Sequence, residues 1–362
     1  MANESAGGVD AAAWDALATH AAQPNPFLER FAAEPFFGLG RGAPRPVAVR
    51  AGGEAVGLAM LTEARGYARL PLRHVTSWCH PHLFDATPLV RRGAEAAFAH
   101  GLLDWLGARD GARFAHLTQL REGPVAAAIR AAAGERGLRA ETVHTAARPF
   151  LDLTGYAGFE DYLARAVSPR TRKSVRRLRR RLAERGVVTL ATLAPGEDAG
   201  PWLDAFFAAE HAGWKGAMAS SLTANPGERA AFASMATTAH ARGRLIASQL
   251  RVDGQPVAHA LDLRAGGGAF ALKTAFDPAW SDASPGVLLE AALIERGLRD
   301  ARAGGPVWID SCAAEGHDVL SRLWPETRPL IQLLVERPGA AASAAYTVVR
   351  GLERMSERRR RA

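Results

Sequence analysis

Lysine is scarce in this sequence: of its 45 basic residues, only Lys173, Lys215 and Lys273 are lysines. The Ala- and Gly-rich composition suggests a coding bias that turns interchangeable surface lysines into arginines. A lysine that persists then marks a position that needs a compact ammonium with an adjustable pKa, which a guanidinium does not supply. Chance retention of three lysines is the alternative interpretation.

Cysteine is scarce as well, and long apolar runs are absent. The two cysteines, Cys79 and Cys312, lie far apart without CxxC spacing, which indicates neither a disulfide framework nor a zinc knuckle. No apolar run approaches the ~18 residues of a membrane-spanning helix, and the beginning of the sequence lacks the pattern of a signal peptide. We therefore expect a cytoplasmic protein without a transmembrane segment. His74, His80 and His82 do not form a metal-ligand pattern, and we predict no metal site.

Positive charge is concentrated in residues 168–186 and 350–362, although the net charge of the whole chain is only +8. Val175, Leu178 and Leu182 recur at helical spacing within the first segment, which predicts a helix over 169–185 with a narrow apolar stripe and a basic outer surface. A solvated helix face is one interpretation. The other is a binding surface for an anionic partner, namely tRNA, a phosphorylated glycan precursor, a CoA tail or a membrane surface. The side chains predicted to bind this partner are Arg172, Lys173, Arg176, Arg179 and Arg180.

The order of predicted elements repeats once along the chain. Each half contains strand hairpins followed by a helix, a strand, a second helix and another strand. We therefore predict an α/β (α+β) fold of two tandem domains. The predicted boundaries are 1–150 for an N-terminal domain, 151–200 for a connecting segment with the Arg-rich helix, 201–340 for a C-terminal domain and 341–362 for a last helix with a basic tail.

The most specific motif begins at Lys273 on a predicted strand over 269–276 and ends at the start of a predicted helix over 286–299. Ser284 at the N-cap and Pro285 at the first helical position are typical of a helix start. Such an N-terminus directs backbone N–H groups and the positive end of the helix dipole at an anion, although a plain cap is the alternative.

Strand alternation predicts that Lys273 shares its face with alanines and lines a cavity. A buried ammonium needs a counter-charge, and we predict Asp277, Asp262, Asp310 or a bound anion. Asp262 is expected to line the same cavity. His259 is expected to point to the opposite face as a packed histidine.

A predicted helix over 202–209 is followed by Glu210 and then by a turn. The turn presents Trp214 and Lys215 between Gly213 and Gly216. An exposed tryptophan beside a cation is an arrangement that can bind a ligand. A tryptophan that fills a seam between domains is the alternative.

These stretches together resemble the GNAT superfamily of acyltransferases. The resemblance is to the bacterial branch described as CelD-like (cellulose- or exopolysaccharide-associated) acetyltransferases, which is similar in turn to the Fem-type peptidyltransferases with two GNAT-like domains. It extends over about residues 14–336 and depends on Ser168-Pro-Arg-Thr-Arg-Lys173, Glu210…Gly213-Trp-Lys-Gly216 and Lys273…Asp277-Pro…Ser284-Pro-Gly286. The resemblance implies two tandem GNAT-like domains, of which the N-terminal one is degenerate and the C-terminal one is catalytic.

The resemblance also implies transfer of an acyl group from a thioester, acyl-CoA such as acetyl-CoA, to an amine or hydroxyl. A backbone N–H between two splayed strands would stabilise the oxyanion. A carboxylate such as Asp262 or Glu210 would take the acceptor proton. The implied catalytic set is Lys273, Asp262, Glu210 and Asp277, and the implied cofactor-binding set is Ser284, Pro285, Gly286, Lys215 and Trp214.

One departure from the superfamily concerns the pyrophosphate loop, which usually has several glycines, whereas this chain has Ser284-Pro-Gly286. Fem-like relatives use aminoacyl-tRNA as donor, which the basic helix suits. Our main hypothesis is an acyl-CoA-dependent acyltransferase acting on a sugar or amine precursor in exopolysaccharide or cellulose biosynthesis. The alternatives are a Fem-like aminoacyl-tRNA-dependent transferase and a non-catalytic protein that binds an anionic partner.

Overall fold

The computed structural model describes residues 9–40, 42–316 and 318–361, and the chain forms two compact units. The first unit comprises Met1–Ala147 and Pro329–Ala362, and the second unit comprises Arg148–Arg328. Both contain helices and strands, so the predicted mixed α/β fold is confirmed. The segment over 151–200, predicted as a connection, lies within the second unit.

The helices and strands follow one another in the alternating order that the sequence predicts. The strands are β1 (Arg45–Ala51), β2 (Glu54–Ala64), β3 (His74–Ser77), β4 (Leu89–Val90), β5 (Phe114–Arg121), β6 (Ala140–Asp152), β7 (Val188–Thr192), β8 (Leu245–Val252), β9 (Gln255–Ala265), β10 (Gly268–Phe276), β11 (Trp308–Asp310) and β12 (Glu326–Glu336). The α-helices are α1 (Ala11–Thr19), α2 (Arg30–Ala33), α3 (Glu95–Gly107), α4 (Pro124–Glu135), α5 (Phe159–Ala166), α6 (Pro169–Ala183), α7 (Gly200–Ala212), α8 (Trp214–Ala217), α9 (Pro226–Ala241), α10 (Pro285–Arg302), α11 (Asp318–Leu323) and α12 (Ala340–Arg361). Within the described residues, none of these helices has the length and apolar character needed to cross a membrane.

The first unit contains a sheet in the order β1-β2-β3-β5-β12-β6. The pairs β1–β2, β2–β3 and β5–β12 are antiparallel, and the pair β3–β5 is parallel. Phe98 of α3 and Ile129 of α4 are fully buried in one apolar cluster with Leu333 of β12. Burial of this apolar surface stabilises the unit.

The second unit contains a sheet in the order β6-β11-β10-β9-β8-β7. Helix α10 covers one face, which we call the α10 face, where Leu288 and Leu289 pack with Ala258 and Ala260 of β9. Helices α7 and α9 cover the opposite face, which we call the α7 face, where Phe206 lies against His259. The parallel pair of β10 and β11 is limited to Gly268–Phe270 and Trp308–Asp310. Strand β11 ends at Asp310, the partner of Phe270, so β10 extends beyond the end of β11 to Phe276.

Helix α6 confirms the helix that the sequence predicts. The Ser168 hydroxyl accepts a hydrogen bond from the Thr171 N–H at 3.3 Å, and Pro169 follows at the first helical position. Val175, Leu178 and Leu182 are buried, so the apolar stripe attaches the helix to the second unit and leaves its basic surface outward.

Candidate functional site

A β-bulge in β10 places Lys273 and Asp262 on opposite faces of the second-unit sheet. Ala271 lies opposite Asp262, whereas Lys273 lies opposite Leu261, so Leu272 is an extra residue on β10. An extra residue reverses the alternation of all side chains that follow it. The prediction that Lys273 and Asp262 line one cavity is therefore wrong, since Lys273 lies on the α7 face and Asp262 on the α10 face.

The counter-charge of Lys273 is Glu210 of α7, and none of the predicted aspartates. Lys273 Nζ donates to Glu210 Oε1 at 3.2 Å, and Lys215 Nζ donates to the same oxygen at 2.9 Å. The other carboxylate oxygen accepts the Leu222 N–H at 2.8 Å. Two ammonium groups thus share one buried carboxylate oxygen, which brings together two of the three lysines of the sequence.

The pKa values in this cluster move in directions set by burial and by neighbouring charge. Burial lowers the pKa of Lys273, and the nearby Lys215 ammonium lowers it further. Burial acts to raise the pKa of Glu210, but Lys273, the Leu222 N–H and Lys215 together hold it below its usual range. Glu210 therefore stays ionised, while Lys273 loses its proton more readily than an ordinary lysine does.

Asp262 lies on the α10 face in a small buried cavity of about 30 Å³, which it lines together with Glu290 and Arg296 of α10. Burial raises the pKa of Asp262 to about 6, an effect that Arg296 partly opposes. Burial also raises the pKa of Glu290 to about 7, and its carboxylate accepts the Trp324 indole N–H at 2.7 Å. This acidic pair titrates near neutral pH. Glu290 was not predicted, because a glutamate within an amphipathic helix gives no sequence signal of burial.

Ser284 precedes the first turn of α10, as predicted, but its conformation differs from that of an ordinary cap. The residue has φ 51° and ψ 55°, and its hydroxyl makes no capping hydrogen bond. Pro285 has no N–H, and the Val287 N–H donates to the Ser284 carbonyl at 3.1 Å. The Gly286 N–H is the donor that the first turn can offer to an anion.

A groove of about 540 Å³ opens beside Ser284. Arg170 and Arg177 of α6 and Arg322 of α11 line it, together with Thr171 and Ser174. Three guanidinium groups around a helix N-terminus make this arginine groove a site suited to phosphate groups. Arg322 was not predicted, since it lies far along the sequence from the basic segment.

The five residues predicted on α6 for an anionic partner fall into two groups. Three are engaged within the second unit: Arg172 donates to the Ala164 carbonyl at 2.7 Å, Arg176 to Glu160 at 2.9 Å and Arg179 to Glu295 at 2.8 Å. Lys173 and Arg180 have no such partner among the described residues. Both line a second surface groove of about 430 Å³ along α6, to which Arg177 also contributes.

The remaining predicted residues lie apart from the arginine groove. Trp214 is 64% exposed at the start of α8, and Lys215 joins the Glu210 cluster. The Asp277 carboxylate accepts the Ala279 N–H at 2.9 Å and so caps a short 3₁₀ helix. His259 is buried as expected, and burial lowers its pKa to about 4. Among the described residues, no cluster of three or more His, Cys, Asp or Glu side chains is placed to hold a metal ion.

Comparison with known proteins finds one family model that matches part of the chain. Residues 169–304, which include α6, the Glu210 cluster, β10 and α10, match the family model described as an acetyltransferase (GNAT) domain. No curated protein matches the chain.

Solved structures with a similar fold match nearly the whole chain at low sequence identity. FemX matches with a TM-score of 0.57 at 12% identity, over 94% of this chain and 98% of its own. The C-terminal domain of a candidate lysylphosphatidylglycerol synthetase from Agrobacterium fabrum matches with a TM-score of 0.56 at 15% identity, over 92% and 94%. L-PGS from Bacillus licheniformis matches with a TM-score of 0.52 at 13% identity, over 97% and 99%. The predicted mixed α/β fold is confirmed, and the match of residues 169–304 to an acetyltransferase (GNAT) domain supports an acyltransferase.

Proposed function

We propose that the second unit transfers an acyl group from acyl-CoA to an amine, with the phosphates of the donor bound in the arginine groove. The observation that carries this proposal is the position of Arg170, Arg177 and Arg322 around the N-terminus of α10. The pyrophosphate of CoA is an extended polyanion, and guanidinium groups bind phosphate oxygens through charge-assisted hydrogen bonds. The positive end of the α10 dipole adds to this attraction.

The end of β11 beside Phe270 supports a position for the thioester. Beyond Phe270, β10 pairs with β9 but not with β11, so the β10 N–H groups that do not point to β9 face the opening beyond the end of β11. An N–H fixed there would hydrogen-bond the thioester oxygen more strongly as negative charge develops on it. The donor would then extend from the arginine groove toward this opening.

Proton transfer is assigned in this proposal to the α7 face. The acceptor nitrogen forms a bond to the thioester carbon, the carbon–sulfur bond breaks, and the CoA thiolate takes the proton that the new amide nitrogen loses, so that CoA leaves as the thiol. The acceptor ammonium must lose a proton before attack, and Lys273 takes it in the fraction of molecules in which its amine is neutral, a fraction that its lowered pKa increases. Glu210 positions the Lys273 amine through the hydrogen bond at 3.2 Å. Asp262 is too poorly placed for this step, because it faces α10.

The acceptor class and its setting are also part of the proposal. We propose a sugar or amine precursor of a surface polymer as acceptor, as the resemblance to CelD-like acetyltransferases implies, and the cytoplasm as the location of the reaction.

Calorimetric titration with acetyl-CoA and longer acyl-CoAs tests the donor. We expect micromolar binding that weakens in Arg177→Ala and Arg322→Ala. Arg181→Ala is the matched control, because Arg181 is exposed on the same helix and lies outside both grooves. Absence of binding to every acyl-CoA would contradict the proposal, as would equal weakening by all three variants.

A second candidate donor, aminoacyl-tRNA, is favoured by the groove along α6 that Lys173, Arg177 and Arg180 line. A polyanion that contacts several of these cations releases counterions, so its affinity falls steeply with salt, with a log–log slope of about −0.7 per phosphate contact on a single strand. Titration with charged tRNA at several salt concentrations checks this candidate. A slope reduced in Lys173→Met and Arg180→Met would favour it, and tRNA binding unaffected by these changes would exclude the groove.

A further inference from the structure

A second charged cluster lies on the α7 face, around Asp310 at the end of β11. Asp310 is fully buried, and its carboxylate accepts the Cys312 N–H at 3.0 Å and Arg328 Nη1 at 3.4 Å. Arg148 of β6 approaches the same carboxylate with Nη1 3.5 Å from Oδ1. Cluster members thus come from β6, β11 and the beginning of β12.

Arg148 is the member of the cluster whose hydrogen-bonding needs are not met within the described residues. Its side chain is only 7% exposed, and both Nε and Nη1 are buried without a hydrogen-bond partner. Buried N–H groups without acceptors lower the stability of the folded state, because they have lost their hydration without replacement. A bound anion would supply the missing acceptors.

Register places this cluster on the same sheet face as Lys273. Asp310 of β11 pairs with Phe270 of the parallel strand β10 and with Phe150 of the antiparallel strand β6. Paired residues of neighbouring strands point to the same face of a sheet, so all three side chains share a face. Arg148, two residues before Phe150, shares that face by strand alternation. Arg148 of β6 and Lys273 of β10 therefore lie on one side of the sheet and flank the space beyond the end of β11.

Aromatic side chains border the cluster. The Arg328 guanidinium lies 4.0 Å from the ring centre of Phe150 and 4.5 Å from that of Trp308. Phe150, Trp308 and Arg328 are partly exposed, so the cluster is open to solvent along this aromatic border. A small organic anion fits such surroundings better than a strongly hydrated inorganic one.

We propose that Arg148, with Arg328, binds a carboxylate group of the acceptor, so that the acceptor is an amine that also carries a carboxylate. This inference rests on the proposed function, which assigns the α7 face to the acceptor. A monoanion would supply the acceptors that Arg148 lacks, whereas a phosphate dianion would place more negative charge beside a buried aspartate. The carboxylate would orient the acceptor with its amine toward Lys273.

The test follows the Arg148 Nε–H resonance in the ¹⁵N-labelled full chain, identified by its loss in Arg148→Met. We expect benzoate to shift this resonance saturably, benzamide of the same shape not to shift it, and phosphate to shift it less than benzoate. Equal responses to benzoate and benzamide, no response to either, or a stronger response to phosphate would overturn the inference.

A matched control and a donor titration separate this inference from the proposed function. Arg229→Met also removes a guanidinium that pairs with an aspartate and lies over an aromatic ring, Asp204 and Phe207, and should keep the benzoate response. Arg148→Met leaves Asp310 paired with Arg328, so we expect it to fold with a Tm no lower than that of the wild type. Acetyl-CoA binding without a benzoate response overturns the inference alone, whereas a benzoate response without acyl-CoA binding counts against the proposed function alone.

Discussion

Lys273 and Glu210 are joined by a hydrogen bond of 3.2 Å, although 63 residues separate them in the sequence. Glu210 is held from a third direction by the Leu222 N–H, so its carboxylate is a fixed acceptor rather than a mobile surface group. The pair therefore ties strand β10 to helix α7, and it determines both the position and the ionisation of the Lys273 amine.

Replacement of Lys273 should abolish most of the activity even where the positive charge is kept. A neutral amine is required for proton transfer, and an arginine does not deprotonate in this pH range. We expect Lys273→Arg and Lys273→Met each to lower kcat by roughly 100-fold or more, the usual contribution of a positioned base. The measurement is acyl-CoA-dependent thiol release at saturating donor. Near-normal kcat in Lys273→Arg would show that only the charge matters.

Removal of Lys215 should change the pH dependence of the reaction. The Lys215 ammonium contributes to the lowered pKa of Lys273, so Lys215→Met should let that pKa rise. Because the reaction requires neutral Lys273, the acidic limb of the kcat profile should move to higher pH. Profiles of the wild type and variant check this shift. Lys173→Met, which changes a lysine of α6, is the control and should leave the limb in place.

Substitution of an arginine of the arginine groove should weaken binding of the acyl-CoA donor without slowing the chemical step. Loss of one charge-assisted hydrogen bond to a phosphate costs about 1.5–3 kcal/mol, which corresponds to an increase in KM for acyl-CoA of roughly 10- to 100-fold. We expect this increase for Arg177→Ala and Arg322→Ala with little change in kcat. Steady-state kinetics distinguish the two parameters, and Arg181→Ala should retain the wild-type KM.

Asp262 should destabilise the folded protein at neutral and alkaline pH. Its pKa is raised from an ordinary 3.8 to about 6 in the folded state, so the unfolded state ionises first as pH rises. Stability associated with this group is therefore complete below pH ~4 and is lost as pH rises through about 6. Asp262→Asn should remove this loss, so that the free energy of unfolding of the variant relative to the wild type is higher at pH 8 than at pH 4 by about 3 kcal/mol. Urea titrations at both pH values measure the difference, and exposed Asp204→Asn should show none.

Local sequence signals were sufficient to predict several elements of the site. The stripe of Val175, Leu178 and Leu182 predicts α6, and Ser284 with Pro285 predicts the start of α10, because both depend on residues close in sequence.

Predictions that depended on register or on long-range contact were less successful. The extra residue Leu272 carries no sequence signal, because Ala-Leu-Lys-Thr continues an alternating pattern with or without a bulge. Once the alternation reverses, the partner of Lys273 is Glu210 and not an aspartate of β9 or β11. Arg322 and Arg148 were missed for a related reason, since only tertiary structure brings them to the arginine groove and to Asp310.

The position of β12 in the first unit has a consequence for how the protein is made. This strand lies between β5 and β6, yet residues 329–362 follow the entire second unit along the chain. During synthesis the second unit is completed while the sheet of the first unit still lacks an interior strand. Edges of β5 and β6 that later pair with β12 are then exposed on the nascent chain, a situation that favours wrong strand pairing. We infer that the second unit folds first, and that the first unit closes only when β12 has left the ribosome.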